Sequence, residues 1–552
     1  MDNLKSLILL WDHLAEGLQI PSKDRVVFRR RALSERLPFL TKVLPSLGKA
    51  FDQHLISGDP MDFHGVRFRL SEEGIPLFLG SLFTGYVETI SLREKATYIQ
   101  KIRQLTLVFY KLEVPYGKET LQKAIDSFLE RDASLTHSMP EEGIDKVRKL
   151  IGRVLVNEDP FDILPRHGSG AVANKLHQHQ KWHTFRYVPK LDRVYPYDSH
   201  FFFNVEHVSE ELWKLQEAET VEEPSSRLVF VPKDSRGPRL ICCEPSEFMY
   251  IQQGLMRKLY ECLESKSLTK GFINFTDQAI NQRLARLASE DGSLATLDLS
   301  EASDRVDWTL LQAVLPKRWV EALSACRSTR VELPNQEETY GPLRKFAPMG
   351  SACCFPIEGL FFWSLLRSHL HTDVWVYGDD IIIDVDYVDQ AISILEAAGL
   401  QVNKAKSCYK TSFRESCGGD YFGGHDVGYV KCTKVLSDDY ASFRHLVSFA
   451  ENISAKFSLK VGLKILSFVD ENYRVVPTTR LRSRPGVFYH PQAPLARNDV
   501  FYKKRWSSDY QIFEHKVLSA WTPVSPLCKA SQYHRCELLR KHLTKDAISD
   551  VG

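Results

Sequence analysis

At 552 residues, with 43% hydrophobic, 26% charged and 11% aromatic side chains, the chain has the composition of an ordinary folded protein of several subdomains, and long disordered segments are excluded as its default. A formal net charge of +2 excludes a uniformly basic surface, so a polyanionic partner has to meet positive charge concentrated in one place. Eleven scattered cysteines, two pairs of them adjacent (Cys242-Cys243 and Cys353-Cys354) and none in a C-x-x-C, argue against a disulfide framework or zinc ribbon and for free thiols in a reducing cytosol.

The apolar run Leu7 to Trp11 is ended by Asp12, too soon for a membrane span or a signal segment; it reads as a buried helix face, and a cytoplasmic protein is expected. Residues 1–165 read as mainly helical. Tyr98, Ile102, Leu105 and Phe109 recur at helical spacing, as do Ile144, Val147, Ile151 and Val154, and Ser138-Met139-Pro140-Glu141 has the form of a capping box opening the latter helix. Near residue 165 the character changes to a basic, glycine-containing loop, Pro165-Arg166-His167-Gly168-Ser169-Gly170. His177, His179 and His183 invite a zinc reading, but no fourth ligand is evident, and core or surface histidines are the better reading. Arg227 to Val231 and Leu240 to Cys242 read as strands, with Gly237 and Pro238 in the turn between them. From about 294 to 430 short strands alternate with helices. After Ser437 a helix is predicted with Phe443, Leu446, Ala450, Ile453 and Phe457 along one face. The last 80 or so residues are rich in arginine, aromatics and proline. Arg29-Arg30-Arg31 and Lys503-Lys504-Arg505-Trp506 are either phosphate contacts or solvated faces.

The sharpest signal is Val374 to Ile383, in which two apolar β-runs flank Gly378-Asp379-Asp380. A bare Gly-Asp-Asp is as readily a surface turn. Here both flanks are apolar enough to lie inside a sheet, so the turn holds two carboxylates on a rigid support, and adjacent anions repel unless cations lie beside them. A third acid, Asp298, ends the apolar strand Ser293 to Leu297; taken alone it is a plausible helix cap. Together the three aspartates suit nucleotidyl transfer, in which two Mg²⁺ ions about 4 Å apart activate a 3′-hydroxyl and stabilise the leaving pyrophosphate. Magnesium takes oxygen ligands, and acids at strand ends are short and stiff. G-x-x-x-x-G-K-[ST], H-E-x-x-H and G-x-S-x-G are absent, which gives no support to a fused helicase or protease.

Five segments occur in order: Asp298-Leu-Ser-x-Ala-Ser-Asp304, Met349-Gly350 leading to Glu358, Tyr377-Gly378-Asp379-Asp380, Asn403-x-x-Lys406, and Phe413-Arg414-Glu415-Ser416-Cys417-Gly418. They resemble polymerase motifs A to E of the RNA-directed RNA polymerases of leviviruses, the small positive-strand RNA phages, as do Asp277 to Ala285 and Asp291 to Thr296 upstream. The resemblance spans about residues 227 to 430, with a weaker extension to the loop at His167. It implies an α+β right-hand polymerase fold with fingers, an antiparallel-sheet palm and a helical thumb. The segments expected are a helical N-terminal region 1–165, fingers 166–293 with a basic hairpin, a palm 294–430 with a fingers insertion at about 308–345, and a thumb and C-terminal region 431–552.

Carried over by residue, the resemblance implies that Asp298 and Asp379 are the main metal ligands, with Asp380 assisting, for two Mg²⁺ ions (Mn²⁺ as an alternative). Lys406 is then the proton donor to pyrophosphate, although by itself it is equally a solvated lysine. Asp304 lies near the incoming ribose, and Ser351 and Glu358 are nucleotide-binding; His167, Gly350, Phe413 and Arg414 lie toward template and primer. Motif B departs from the family's Met-Gly-Asn-Gly-x-Thr-Phe-x-Leu-Glu: Ser351 stands for the Asn and Cys354 for the Thr, a weaker donor, while Pro356 fits the first turn of a helix. Arg227, Lys233, Arg236 and Arg239 cluster about the hairpin. They are either a solvated tip or a triphosphate gate, and their place upstream of motif A favours the gate, with Lys233, Arg236 and Arg239 as its nucleotide contacts.

The expected reaction is RNA-templated RNA synthesis from NTPs, copying a phage genome without a primer in the cytoplasm of an infected bacterium, with no membrane partner. The resemblance also implies host partners, namely translation elongation factors Tu and Ts and a ribosomal protein. A reverse transcriptase is the nearest alternative, but no aromatic residue follows Asp298 to exclude a 2′-hydroxyl, and Asp304 can accept a hydrogen bond from one. A non-catalytic RNA-binding or assembly protein is the other, and the intact Asp298, Asp379 and Asp380 argue against it.

Overall fold

Two large apolar cores organise the chain, and each is assembled from residues far apart in sequence. The computed structural model describes residues 3–182, 184, 186–202, 213–334, 338–434 and 440–466, with short strands at 476–478, 487–489, 504–507 and 512–515. The run at Leu7 forms the inner face of helix Asn3–Gly17, where Leu7, Leu10, Trp11 and Leu14 are fully buried. Trp11 stacks on Phe28 at 3.7 Å and donates its indole N–H to the Leu105 carbonyl at 2.8 Å. Helices Leu44–Ser57 and Leu92–Leu107 complete the N-terminal part. This part shares its core with Cys408, Phe413 and Phe422 and with Leu446, Ala450 and Ile453 of helix Tyr440–Lys456. Phe443 of that predicted face lies outside the residues whose side chains are described.

The other core runs from Met139 to Val402. Helix Glu141–Val154 buries Ile144, Val147, Ile151 and Val154 in it, so this helix packs with the central part of the chain rather than with the N-terminal helices. It has no capping box: Pro140 is its N-cap without a side-chain hydrogen bond, and the backbone N–H of Ser138 donates instead to Ala397 O at 2.8 Å.

The architecture is mixed helix and sheet. Strands β1 (Ser226–Asp234) and β2 (Gly237–Cys243) form an antiparallel hairpin, and the edge of β1 is extended in parallel by residues 331–332. The turn is Ser235-Arg236, two residues earlier than the sequence signals: Gly237 pairs with Asp234, and Pro238 lies inside the strand. Strand β3 (Leu294–Leu297), β4 (Val374–Tyr377) and β5 (Asp380–Asp384) make an antiparallel sheet in the order β3-β5-β4. Val374, Val376 and Ile381 to Ile383 are buried, which fixes the register. Strands β6 (Phe413–Ser416) and β7 (Gly419–Phe422) form a second hairpin beside it. Among the described residues no helix is long and apolar enough to cross a membrane.

Candidate active site

The central sheet brings the three aspartates to one end. Tyr377 pairs with Asp380, leaving Gly378 and Asp379 as a two-residue turn with the glycine at φ +62°, the positive φ that a type II′ hairpin asks of its first central residue. Leu297 pairs with Ile381, so Asp298 leaves the strand beside the turn, where its charge acts on both Asp379 and Asp380. Asp298 is held firmly. Its Oδ2 accepts from Asn403 Nδ2 at 3.0 Å, its carbonyl accepts from Asn403 N at 2.8 Å, and Lys406 Nζ lies 3.2 Å from Oδ2. Asp380 Oδ2 accepts from the backbone N–H of Cys417 at 3.1 Å, in the β6–β7 turn.

Desolvation, reinforced by the charge of Asp379, pushes Asp380 up to about 6; desolvation and then Asp298 raise Asp379 as well. These carboxylates are crowded against one another with too little compensating charge, and a dication would relieve that. Every donor is a carboxylate oxygen, as Mg²⁺ prefers, so the residues fit such an ion. They do not form a closed ligand shell: among the described residues no three His, Cys, Asp or Glu side chains are gathered as a ready metal cluster, and Asp298 is turned to Lys406 and Asn403.

Motif B abuts this turn. Helix Cys354–Arg367 starts with Phe355, whose ring meets that of Tyr377 at 5.4 Å, and Pro356 lies in its first turn as expected. Glu358 is buried and accepts from Cys354 Sγ at 2.8 Å. Desolvation prevails over the thiol's hydrogen bond and, with smaller contributions from the charges of Asp379 and Asp304, raises its carboxyl to about 8. Ser351 turns its hydroxyl inward to Gln252 Oε1 at 3.1 Å, so its side chain does not present a donor to the cleft. Gly350 has φ +125°, and a Cβ there would lie 2.1 Å from the Cys242 carbonyl, which ties this loop closely to β2. Asp304 is buried between Lys345 Nζ at 3.0 Å and Arg131 Nη2 at 3.2 Å; these two cations are invisible to motif reading.

The basic hairpin lies against the N-terminal helices. Ser235 Oγ donates to Thr41 O at 2.8 Å, and Tyr116 OH donates to Asp234 O at 2.9 Å. Arg236 is not a free gate residue. Its guanidinium is bidentate on Asp234, at 3.1 and 2.8 Å, and also reaches Tyr110 OH. Burial of Asp234 opposes its ionisation, but Arg236 and Tyr110 prevail and hold its carboxyl at about 2. Lys233 and Arg239 are exposed, and no ion pair engages either among the described residues. Two further lysines from the N-terminal part join them. Lys49 Nζ lies over the Tyr110 ring at 3.8 Å; desolvation and then Arg236 lower it to about 8. Lys111 is lowered by desolvation, then by Lys431 and Arg239. Lys233 is lowered too, by desolvation and then Arg239, so these side chains form a cluster of positive charge around Asp234.

The remaining predicted contacts are placed elsewhere. His167 is packed between Tyr250, at 4.5 Å, and Trp182, at 4.9 Å; desolvation and then Lys181 lower it to about 4, so it is neutral at pH 7. Phe413 and Arg414 are both 1% exposed, and Arg414 spends its guanidinium on the carbonyls of Leu294, Thr411 and Phe413. Arg414 braces β6 against β3 and Phe413 packs into the N-terminal core; the Cys417 backbone is what that hairpin presents to the aspartates. Arg227 donates to Ala173 O at 3.1 Å. His177 and His179 stack at 6.0 Å without a metal cluster among the described residues, and His183 lies outside them. Arg29 pairs with Asp12 and Arg31 with Glu35, while Lys504-Arg505-Trp506 falls in a short strand and Lys503 lies outside the described residues.

Comparison with known proteins gives the family. The chain is 32% identical over 302 residues to the RNA-directed RNA polymerase subunit beta of Qbeta virus (strain MX1), covering 52% of this chain and 49% of that one. It is 34% identical over 291 residues to the subunit beta of Enterobacteria phage SP, covering 51% and 48%. With the RNA-directed RNA polymerase beta chain of Escherichia phage MS2 it shares 35% over 208 residues, covering 36% and 37%. The chain thus spans about half or less of the curated relatives it matches. A solved structure, the insertion loop deletion mutant of the RNA-dependent RNA polymerase of a human picobirnavirus, has a TM-score of 0.42 at 14% identity, covering 77% of this chain and 90% of that one. The family model described as RNA replicase, beta-chain, matches residues 122–450, which contain every motif around the three aspartates, and the chain belongs to that family.

Proposed function

We propose that the chain is an RNA-directed RNA polymerase that extends an RNA 3′-end by nucleotidyl transfer from NTPs on an RNA template. The observation that carries this reading is the meeting of Asp298, Asp379 and Asp380 at one end of the β3-β5-β4 sheet, with Lys406 and Arg239 near enough for their charges to act on Asp379. In this reading the sheet is the palm, the β1–β2 hairpin belongs to the fingers, and helix Tyr440–Lys456 belongs to the thumb.

Asp298 and Asp379, assisted by Asp380, hold two Mg²⁺ ions or Mn²⁺ in their place. When bound, these would supply Lewis-acid stabilisation of the attacking 3′-oxygen and the leaving phosphate. Lys233 and Arg239, with Lys49 and Lys111, neutralise the triphosphate. Arg236 acts indirectly, by fixing Asp234 at the end of the strand that carries Lys233. Lys406, anchored by Asp298, gives a proton to the pyrophosphate oxygen as it leaves. Asp304 keeps lone pairs beyond those taken by Lys345 and Arg131, and these accept from the ribose 2′-hydroxyl. Gly350 brings the loop backbone close to the template-side surface of the cleft.

The resemblance brings the biological setting: replication of a phage genome in the cytoplasm of an infected bacterium, with initiation that needs no primer. The host elongation factors Tu and Ts and a ribosomal protein are the partners that the resemblance brings. The test is extension of an RNA primer-template and copying of an unprimed RNA, comparing NTPs with dNTPs and Mg²⁺ with EDTA. Template-dependent incorporation that needs the dication and NTPs supports the reading; preferential use of dNTPs, or full activity in Asp379→Asn, overturns it.

A further inference from the structure

Gln252, on helix Ser246–Ser265, is 2% exposed, and its amide bonds through both its oxygen and its nitrogen. Its Oε1 accepts two hydrogen bonds from the motif-B loop, from Ser351 Oγ at 3.1 Å and from the backbone N–H of Ala352 at 3.1 Å. Its Nε2 donates to the carbonyl of Cys326 at 2.7 Å. Its own backbone carbonyl receives Cys353 Sγ at 3.6 Å, and Ser351 Oγ also receives the Cys353 N–H at 3.3 Å. One glutamine therefore grips three consecutive loop residues. Directly after this grip come Cys354, bonded to the buried Glu358, and Phe355, packed against Gly378 of the catalytic turn. A shift of the loop would move Phe355 and Glu358 relative to Asp379.

The grip also explains what Ser351 does in this chain. Its short hydroxyl points into the protein and reaches the Gln252 acceptor, so the loop's placement is set from behind.

We propose that Gln252 is a positioning residue for sugar recognition, fixing the Ser351–Cys353 loop so that the motif-B face of the cleft accepts a ribonucleotide in preference to a deoxyribonucleotide. This rests on the polymerase reading above. Nothing about Gln252 itself touches the nucleotide; it acts through the loop.

The test measures kcat/KM for NTPs and dNTPs in the wild type, Gln252→Met and Ser351→Ala. Gln252→Met keeps the length of the side chain and removes its bonds to Ser351, Ala352 and Cys326 together with its interaction with the buried Glu244. Its NTP-over-dNTP preference should fall on the order of tenfold, mainly through a higher KM for NTPs. Ser351→Ala leaves the Ala352 bond in place and should shift the preference in the same direction by less. Equal losses toward both sugars in Gln252→Met would reduce Gln252 to a stability role and overturn the proposal. If Gln252→Met does not fold, an unchanged preference in Ser351→Ala overturns it alone. A wild type that incorporates no nucleotide overturns the polymerase reading instead, which is a different outcome.

Discussion

Gly378 and Phe355 touch so closely that no side chain fits between them: a Cβ at residue 378 would lie 2.0 Å from Phe355 Cε2. The contact couples the turn that carries Asp379 to the first residues of the motif-B helix. The glycine is required twice over, by this contact and by its φ of +62°. Gly378→Ala should therefore fold but lose at least tenfold in extension rate, because the turn must move off the aromatic ring. Adding Phe355→Leu should recover part of the loss and not all, since positive φ still costs an alanine about 1 kcal/mol. Single-turnover extension rates of the two variants check this; no recovery in the double variant would mean that φ alone is responsible.

The crowding of carboxylates gives a pH dependence of known sign. Asp380 is raised to about 6 by desolvation and then by Asp379, so in the free protein it takes up a proton as pH falls through that value. A dication binds the ionised form and competes with the proton. Extension rate should fall as pH drops from 7 to 5, and raising Mg²⁺ should move the midpoint to lower pH. Rate–pH profiles at two Mg²⁺ concentrations measure the shift; a midpoint indifferent to Mg²⁺ would detach this carboxylate from metal binding.

Lys49 and Lys111 come from the N-terminal helical part, yet Arg236 of the β1–β2 hairpin acts on Lys49, and Arg239 of the same hairpin acts on Lys111. Lys111→Glu should raise KM for NTPs severalfold while kcat changes little, and the effect should shrink as salt screens the charges. Arg236→Gln should do something different. It frees Asp234, whose buried carboxylate then opposes the remaining cations, so both stability and KM should suffer. Steady-state kinetics at low and high ionic strength separate the two.

What the sequence disclosed and what it hid divide along physical lines. The Gly-Asp-Asp hairpin and the strand before Asp298 were legible because both are short-range patterns, short apolar runs ending in a turn or an acid. The β1–β2 strands were legible for the same reason, but their turn was misplaced, because Gly237 is flexible enough to pair across from Asp234. The capping box at Ser138 failed where a long-range hydrogen bond to Ala397 took the backbone that the local motif would have used. Phe413 and Arg414 belong to a conspicuous motif, yet burial turns both side chains into the fold; a motif names positions and does not say which way they face. The docking of the N-terminal helices onto residues 408–465 leaves no local trace at all. Arg103, bonded to Val427 O at 2.9 Å and paired with Asp420 at 3.0 Å, is a hinge of that docking, and only the assembled fold brings those residues together. Lys49 and Lys111 were missed for that reason.

Lys345 and Asp304 offer the strictest test of how motif A is supported. Lys345 is fully buried, 3.0 Å from Asp304 and 3.7 Å from the centre of the Phe128 ring. Such a pair is not a large source of stability in itself, because both charges had to leave water. Removing one partner is another matter. Lys345→Met keeps the volume and the contact with Phe128, but it leaves Asp304 with Arg131 alone, and should cost about 3–5 kcal/mol. Lys345→Met with Asp304→Asn removes both charges and should restore most of that stability, since a neutral amide can still accept from Arg131. Activity should not return with it. If Asp304 accepts the ribose 2′-hydroxyl, the stable double variant should remain impaired with NTPs and lose discrimination against dNTPs. Denaturant unfolding and paired NTP and dNTP kinetics on the same samples measure both quantities, and a double variant as selective as the wild type would confine Asp304 to a structural role.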